Sequence, residues 1–363
     1  MPRRRPRRSS SVTTLTRSLA LAWVGVLWLV LSADEVSAVE VVRGDRLGKV
    51  AAFGDRYAFS RYDASAGGYV LMAGRGAGAA RRLPVRVRAR PFDVDLGPTS
   101  TGKTAAVYSR CSGNPAQANP NYGFATGCDV FEYTFADRTE RRVRAISSRA
   151  RSEILPTLWR GRIAFARPIS STKIGRYRIR LLMYDRRSGM TRRLQIRRQG
   201  NGASSNGPLA LDLKGRRLAY VWSRTGGPQC PPSGPSVSDV GQGGEVTLTD
   251  ANVAMVGRTT RLVAEGCDAR TESAARIVGA GWSGDKVVYA NEQESRDDAT
   301  RTSTVTLFNP ATASRVSLPP SPAGPARLTY VSATERAVFT VFRPAVVPSR
   351  EEWSIGREMI PGR

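Results

Sequence analysis

One short pattern of apolar and polar positions recurs six times along the chain. A turn containing Gly leads into a run of apolar and β-branched residues that holds an aromatic. The copies run from Gly54 to Phe59, Gly102 to Tyr108, Gly161 to Phe165, Gly215 to Tyr220 and Gly284 to Tyr289. In the sixth, Thr334 to Phe339, the Gly is lost. The aromatics are separated by 49, 57, 55, 69 and 50 residues. Period-2 alternation bounded by turn residues predicts β-strands rather than helices.

Each copy belongs to a longer unit. An apolar segment precedes the Gly, as at Phe92–Leu96, Leu155–Trp159, Leu209–Leu213 and Ile277–Trp282. A variable connection follows the aromatic. A further strand then ends near an Asx turn, at Val130–Tyr133, Arg180–Asp185, Val246–Asp250 and Val305–Asn309. A last short strand closes the unit at Arg81–Leu83, Arg141–Val143, Arg192–Leu194, Thr260–Leu262 and Ser314–Val316. Four strands in about 50 residues, repeated, predict an all-β fold: a six-bladed β-propeller of four-stranded antiparallel blades. The blades are expected near 45–90, 91–150, 151–200, 205–268, 274–320 and 325–363. The sixth lacks an outer strand, and Val39–Val42 could supply it and close the ring by pairing first to last.

The unit resembles the WD40-like repeats of TolB-type propellers, most closely at Leu213–Tyr220 and Leu182–Gly189. The resemblance covers roughly residues 45 to 345 and implies a fold more than a function. The D-x-x-S-G turn is complete only once, at Asp185–Gly189.

The connections that follow the aromatic strands are the long ones, expected near 61–68, 110–128, 167–177, 223–243, 290–302 and 343–351. In an up-and-down blade all of them emerge on one face, where binding usually resides on a rigid scaffold.

The N-terminus adds a location. Arg3, Arg4, Arg5, Arg7, Arg8 and Arg17 flank an apolar run from Leu19 to Leu31, and Val36-Ser37-Ala38 offers a small-residue cleavage site. The run suits a signal peptide over 1–38 and is short for a membrane span, although an uncleaved anchor is the competing reading. Residues 39–363 are then expected to form a single propeller domain outside the cytoplasm, secreted or envelope-associated, monomeric and without a membrane span. The four Cys agree with that compartment. Pairing Cys111 with Cys128 and Cys230 with Cys267 would require no bond through the disc.

A formal charge of +26 suggests a polyanion partner. The basic residues are almost all Arg, with Lys only at 49, 103, 173, 214 and 286, and they are spread along the chain. Loss of the signal segment would leave about +22. A GC-rich coding bias explains such Arg enrichment without any ligand. Attraction to acidic envelope polymers is the functional alternative. Nucleic acid is not expected, because no aromatic-basic interleaving forms a stacking platform.

The chain has no His, which removes Ser-His-Asp and Cys-His catalysis and His-ligated metal sites. Gly74–Gly78 lies between strands without a following helix and predicts a surface turn, not a phosphate loop. Carboxylates are the remaining enzymatic route: Asp93 and Asp95 alternate on one strand, and Glu292, Glu294, Asp297 and Asp298 crowd the fifth long connection. No catalytic, cofactor or metal residue is assigned, and no cofactor is expected. The sequence therefore points to a binding scaffold for an envelope protein or anionic polysaccharide. Its alternative is a carbohydrate-active enzyme using carboxylates on the long-connection face.

Overall fold

The computed structural model describes residues 39–111, 127–148, 151–170, 177–196, 207–225, 247–255, 260–268, 273–295, 301–318, 326–344 and 352–360. The proposed signal segment, Cys230, Asp297 and Asp298 lie outside them. Among the described residues no helix is long and apolar enough to cross a membrane.

Six four-stranded antiparallel blades follow one another along the chain. Blade 1 comprises β2 (Leu47–Phe53), β3 (Arg56–Asp63), β4 (Gly68–Arg75) and β5 (Arg81–Arg82). Blade 2 comprises β6 (Asp95–Pro98), β7 (Thr104–Cys111), β8 (Cys128–Thr134) and β9 (Thr139–Arg142). Blade 3 is β10 (Ile154–Trp159), β11 (Arg162–Ser170), β12 (Tyr177–Asp185) and β13 (Met190–Arg193). Blade 4 is β14 (Gly207–Lys214), β15 (Arg217–Thr225), β16 (Thr247–Met255) and β17 (Arg261–Asp268). Blade 5 is β18 (Ser273–Ser283), β19 (Lys286–Ser295), β20 (Arg301–Phe308) and β21 (Arg315–Leu318). Blade 6 holds β22 (Ala326–Ala333), β23 (Ala337–Pro344) and β24 (Glu352–Met359), and its outer strand is β1 (Val39–Asp45).

The first strand therefore closes the last blade. β1 pairs antiparallel with β24 from Val39↔Arg357 to Asp45↔Glu352, which covers the edge that an unpaired β24 would expose. Val41 and Val42 pack against the cluster that holds Ile355, Phe339, Leu47 and Val50, so closure joins the cores of blades 6 and 1.

The repeat aromatics are core residues. Phe59, Tyr108, Phe165, Tyr220, Tyr289 and Phe339 are all buried. Each Gly of the repeat turn adopts positive φ, from +55° at Gly284 to +82° at Gly102, a conformation that L side chains rarely adopt. The sixth turn manages without Gly. There Thr334 Oγ1 accepts hydrogen bonds from the Arg336 and Ala337 N–H groups, a side-chain turn in place of backbone freedom.

Several expected boundaries shift. The first long connection is absent: β3 runs to Asp63 and β4 starts at Gly68. Asp63 Oδ1 accepts from Ser65 N–H, Ser65 Oγ–H and Ala66 N–H, giving a tight Asx turn. Asp250 sits mid-strand, opposite Trp222 and Glu265, rather than in a turn. Glu292 and Glu294 lie on β19, not in a loop. In each case backbone pairing carries the strand through polar residues that side-chain pattern alone assigns to loops. The 74–78 segment is the end of β4 and a turn, as expected, and Tyr57 Oη–H donates to the Gly78 carbonyl at 2.6 Å.

The Cys111–Cys128 disulfide forms across the β7–β8 pair, at the base of the connection between them. Blades 2 and 3 are further bonded by charge. Glu132, fully buried, receives Arg141 of its own blade at 2.9 Å and Arg186 of the next at 2.7 Å.

Candidate functional site

The six inner strands β2, β6, β10, β14, β18 and β22 surround the propeller axis. Their register against the second strands brings Ala51, Asp95, Thr157, Asp212 and Gly281 to one level, each opposite the residue before the repeat aromatic. In blade 6 Ser332 takes the same role one place along, opposite Phe339.

Four of these side chains hold the next blade. Asp95 Oδ2 accepts from Leu158 N–H at 3.2 Å, and Thr157 Oγ1 accepts from Leu213 N–H at 2.8 Å. Asp212 Oδ2 accepts from Trp282 N–H at 2.6 Å, and Ser332 Oγ from Ala52 N–H at 2.9 Å. The inner strands do not pair with one another in a ladder, so short polar side chains satisfy amides that would otherwise be buried unpaired. Ala51 and Gly281 occupy the equivalent positions of blades 1 and 5.

Blade 1 contributes a cation instead. Lys49 lies on β2 two residues before Ala51, with its ammonium buried and without a hydrogen-bond partner among the described residues. Its charge acts on both Asp95 and Asp212. Asp95 is buried, and this desolvation raises its carboxyl above the usual range against the opposing pull of Lys49 and of the bond from the Thr157 hydroxyl. Asp212 is pushed up to about 8, first by desolvation and then by the neighbouring Asp95 charge. Two carboxylates and one ammonium thus share a low-dielectric site that favours the protonated form of Asp212.

The turn-side end of the axis is crossed by side chains. Phe53, ending β2, meets Trp159, ending β10, edge-to-face at 5.8 Å. Blades 1 and 3 are not neighbours, so the two rings meet across the opening. Lys214 Nζ lies 5.7 Å from the Trp159 ring centroid and donates to the Gly284 carbonyl at 2.5 Å. It also lies 3.8 Å from Glu335 Oε1, bringing blade 6 into the same plug.

The carboxylates singled out from sequence divide. Asp93 and Asp95 both reach toward blade 3, but Asp93 is consumed by Ser109 N–H, Ser109 Oγ–H and Leu155 N–H at 2.6–2.8 Å. Asp95 faces the axis, not the long-connection face, and its true counterpart is Asp212. Glu292 is buried and paired with Arg276 at 2.7 Å. Trp282 packs between blades 4 and 5, its indole N–H donating to the Asp212 carbonyl at 3.1 Å, and Trp159 packs against the core shared by blades 3 and 4 while its ring meets Phe53. Asp212 carried one available signal: a lone carboxylate inside the apolar run Leu209–Leu213. Among the described residues no group of three or more His, Cys, Asp or Glu could hold a metal ion.

The raised Asp212 predicts an inverted pH dependence. An unfolded Asp titrates near ~3.9, so between there and about 8 the folded chain retains a proton that the unfolded chain has released. The resulting stability is complete at acid pH and is lost as pH rises through the folded value. D212N keeps an acceptor for Trp282 N–H and removes the titration. From pH 5 to 8.5 its melting temperature should gain on the wild type by roughly 5 °C. Parallel melting curves across that range would refute a protonated Asp212.

No protein-family profile matches the sequence, and no curated protein matches it. Solved structures do resemble the fold. A mutant of the α-L-arabinofuranosidase Arb93A from Fusarium graminearum, bound to an iminosugar inhibitor, aligns with a TM-score of 0.52 at 10% identity, covering 89% of this chain and 97% of its own. A second structure of that enzyme gives 0.49 at 8% identity, over 90% and 98%. An acylaminoacyl peptidase from Pyrococcus horikoshii gives 0.42 at 8% identity, over 88% of this chain and 52% of the peptidase. At these identities the likeness is one of fold.

Proposed function

We propose that this protein is an exported TolB-like propeller that binds a protein or polysaccharide partner through its long-connection face. The observation that supports this reading is the convergence of Phe53, Trp159 and Lys214 at the turn-side end of the axis, which makes the long-connection end the proposed approach. The axis behind that face carries the Phe53 and Trp159 rings, two carboxylates and an ammonium. Such a mixture of apolar surface and a few convergent polar groups is typical of ligand sites. The N-terminal signal pattern and the Cys111–Cys128 disulfide support a place outside the cytoplasm.

A second reading has its own support. Asp95 and Asp212 differ in environment, and a carboxyl protonated near neutral pH beside another carboxylate suits general acid catalysis of glycoside hydrolysis. One similar structure is an arabinofuranosidase holding an iminosugar inhibitor. Against it, both carboxylates already serve as inter-blade acceptors.

A glycan array, followed by sugar-release assays on every glycan bound, separates the two. Crosslinking to an envelope fraction covers protein partners. Binding without release is the expected result. Release by the wild type that D212N abolishes while remaining folded would replace the scaffold reading with the enzymatic one. Absence of binding in both formats would overturn the proposal.

A further inference from the structure

The basic residues, spread along the chain as a whole, are densest in one stretch. Residues 151–198 hold thirteen Arg and Lys173 against Glu153 and Asp185, a net +12 of the chain's +26. The described residues of this block form blade 3, whose rim lies beside that of blade 2, where Arg141 and Arg186 converge on Glu132.

The acidic residues of the described segments from 127 to 196 are already engaged. Asp129 pairs with Arg142, Asp137 with Lys103, Glu140 with Arg110, Glu153 with Arg167 and Asp185 with Arg162, all at 2.8–3.1 Å, and Glu132 holds the two Arg named above. The remaining cations of these segments have no ion-pair partner among the described residues. Arg180 on β12, Arg187 in the turn after it, and Arg192 and Arg193 on edge strand β13 are exposed, with Arg138 and Arg144 exposed beside them on blade 2. Uncompensated like charges on one edge repel, and a polyanion that neutralises them relieves that repulsion.

We infer that the outer rim of blades 2 and 3 docks an acidic polysaccharide bearing repeated carboxylates. Guanidinium groups suit this partner because their planar fork pairs bidentately with carboxylates. A bilayer surface fits less well, since Met190 is the exposed large apolar side chain of the described rim and offers little to insert. Single-stranded nucleic acid fits less well too, because no aromatic is among the exposed large apolar side chains of the described residues. The rim is separate from the axial site, and the inference does not depend on what that site binds.

The test is titration of the full mature chain with polygalacturonate, using dextran as the neutral control. The wild type should bind polygalacturonate and not dextran, with affinity falling at least about tenfold between about 50 and 300 mM salt. The variant R180Q/R187Q/R192Q/R193Q removes side chains that make no ion pair among the described residues, and it should bind at least tenfold more weakly. R81Q/R86Q/R216Q/R336Q removes equal charge from exposed positions on other blades and should bind nearly as well as the wild type. Equal losses in the two variants would mean diffuse charge attraction and overturn the site. So would tighter binding of duplex DNA or anionic vesicles through the same four Arg.

Discussion

G97A is expected to lower the melting temperature by about 6 °C, a loss of about 3 kcal/mol in a domain of this size. Gly97 lies on β6 where the inner strands of blades 2 and 3 touch, and a Cβ there would fall 1.8 Å from the Leu158 carbonyl oxygen. The obstacle is backbone, so no side-chain rotation relieves it. Separating the strands would stretch two bonds that flank the contact: Leu158 N–H to Asp95, at 3.2 Å, and Arg160 N–H to the Pro98 carbonyl, at 2.6 Å. G102A is the control. Gly102 has a φ of +82° but nothing within 4 Å of a Cβ, so that variant carries conformational strain alone, about 1 kcal/mol. Thermal denaturation ranks the two. If G97A melts no lower than G102A, close packing of inner strands at this level is not what holds blades 2 and 3 together.

Deleting residues 39–45 is expected to cost more, about 10 °C in melting temperature, and to cause concentration-dependent self-association. The deletion removes the β1–β24 ladder and the contacts of Val41 and Val42 with the blade 6 and blade 1 cores, and it leaves β24 as a bare edge. A deletion ending at residue 38 leaves β1 whole and should melt like the parent domain. Light scattering beside the thermal melt distinguishes edge exposure from simple loss of packing. A truncated chain that stays monomeric and melts within two degrees of the parent would show that ring closure contributes little.

Much of this architecture was legible because it repeats. Aromatics at a near-constant spacing behind a Gly turn are a one-dimensional signal, and the buried positions of Phe59, Tyr108, Phe165, Tyr220, Tyr289 and Phe339 follow it. The missing outer strand of the sixth unit and the spare strand after residue 38 matched for the same reason: counting strands per unit shows which edge lacks a partner. The first connection was misjudged because Tyr62 and Asp63 look like loop residues, whereas β3 continues through them to an Asx turn.

The axial site was not legible. Asp212 lies three residues before its Gly, Thr157 four before and Asp95 seven before, because the β6–β7 turn is longer and Gly is the second residue of the β10–β11 turn but the first of the β14–β15 turn. Residue counting therefore cannot place them at one level, and only the hydrogen-bond register does. The same holds for the plug, since Phe53 and Trp159 are 106 positions apart and meet across the axis. Local alternation of apolar and polar residues determined the strands, the blade repeat and the first-to-last closure, since those depend on short-range periodicity and on pairing of every edge. The tertiary structure alone decided which carboxylates share a field with Lys49, which side chains meet across the axis, and which Arg lack a counter-charge among the described residues. Charge coupling and packing act through space between blades, and the chain order holds no measure of that distance.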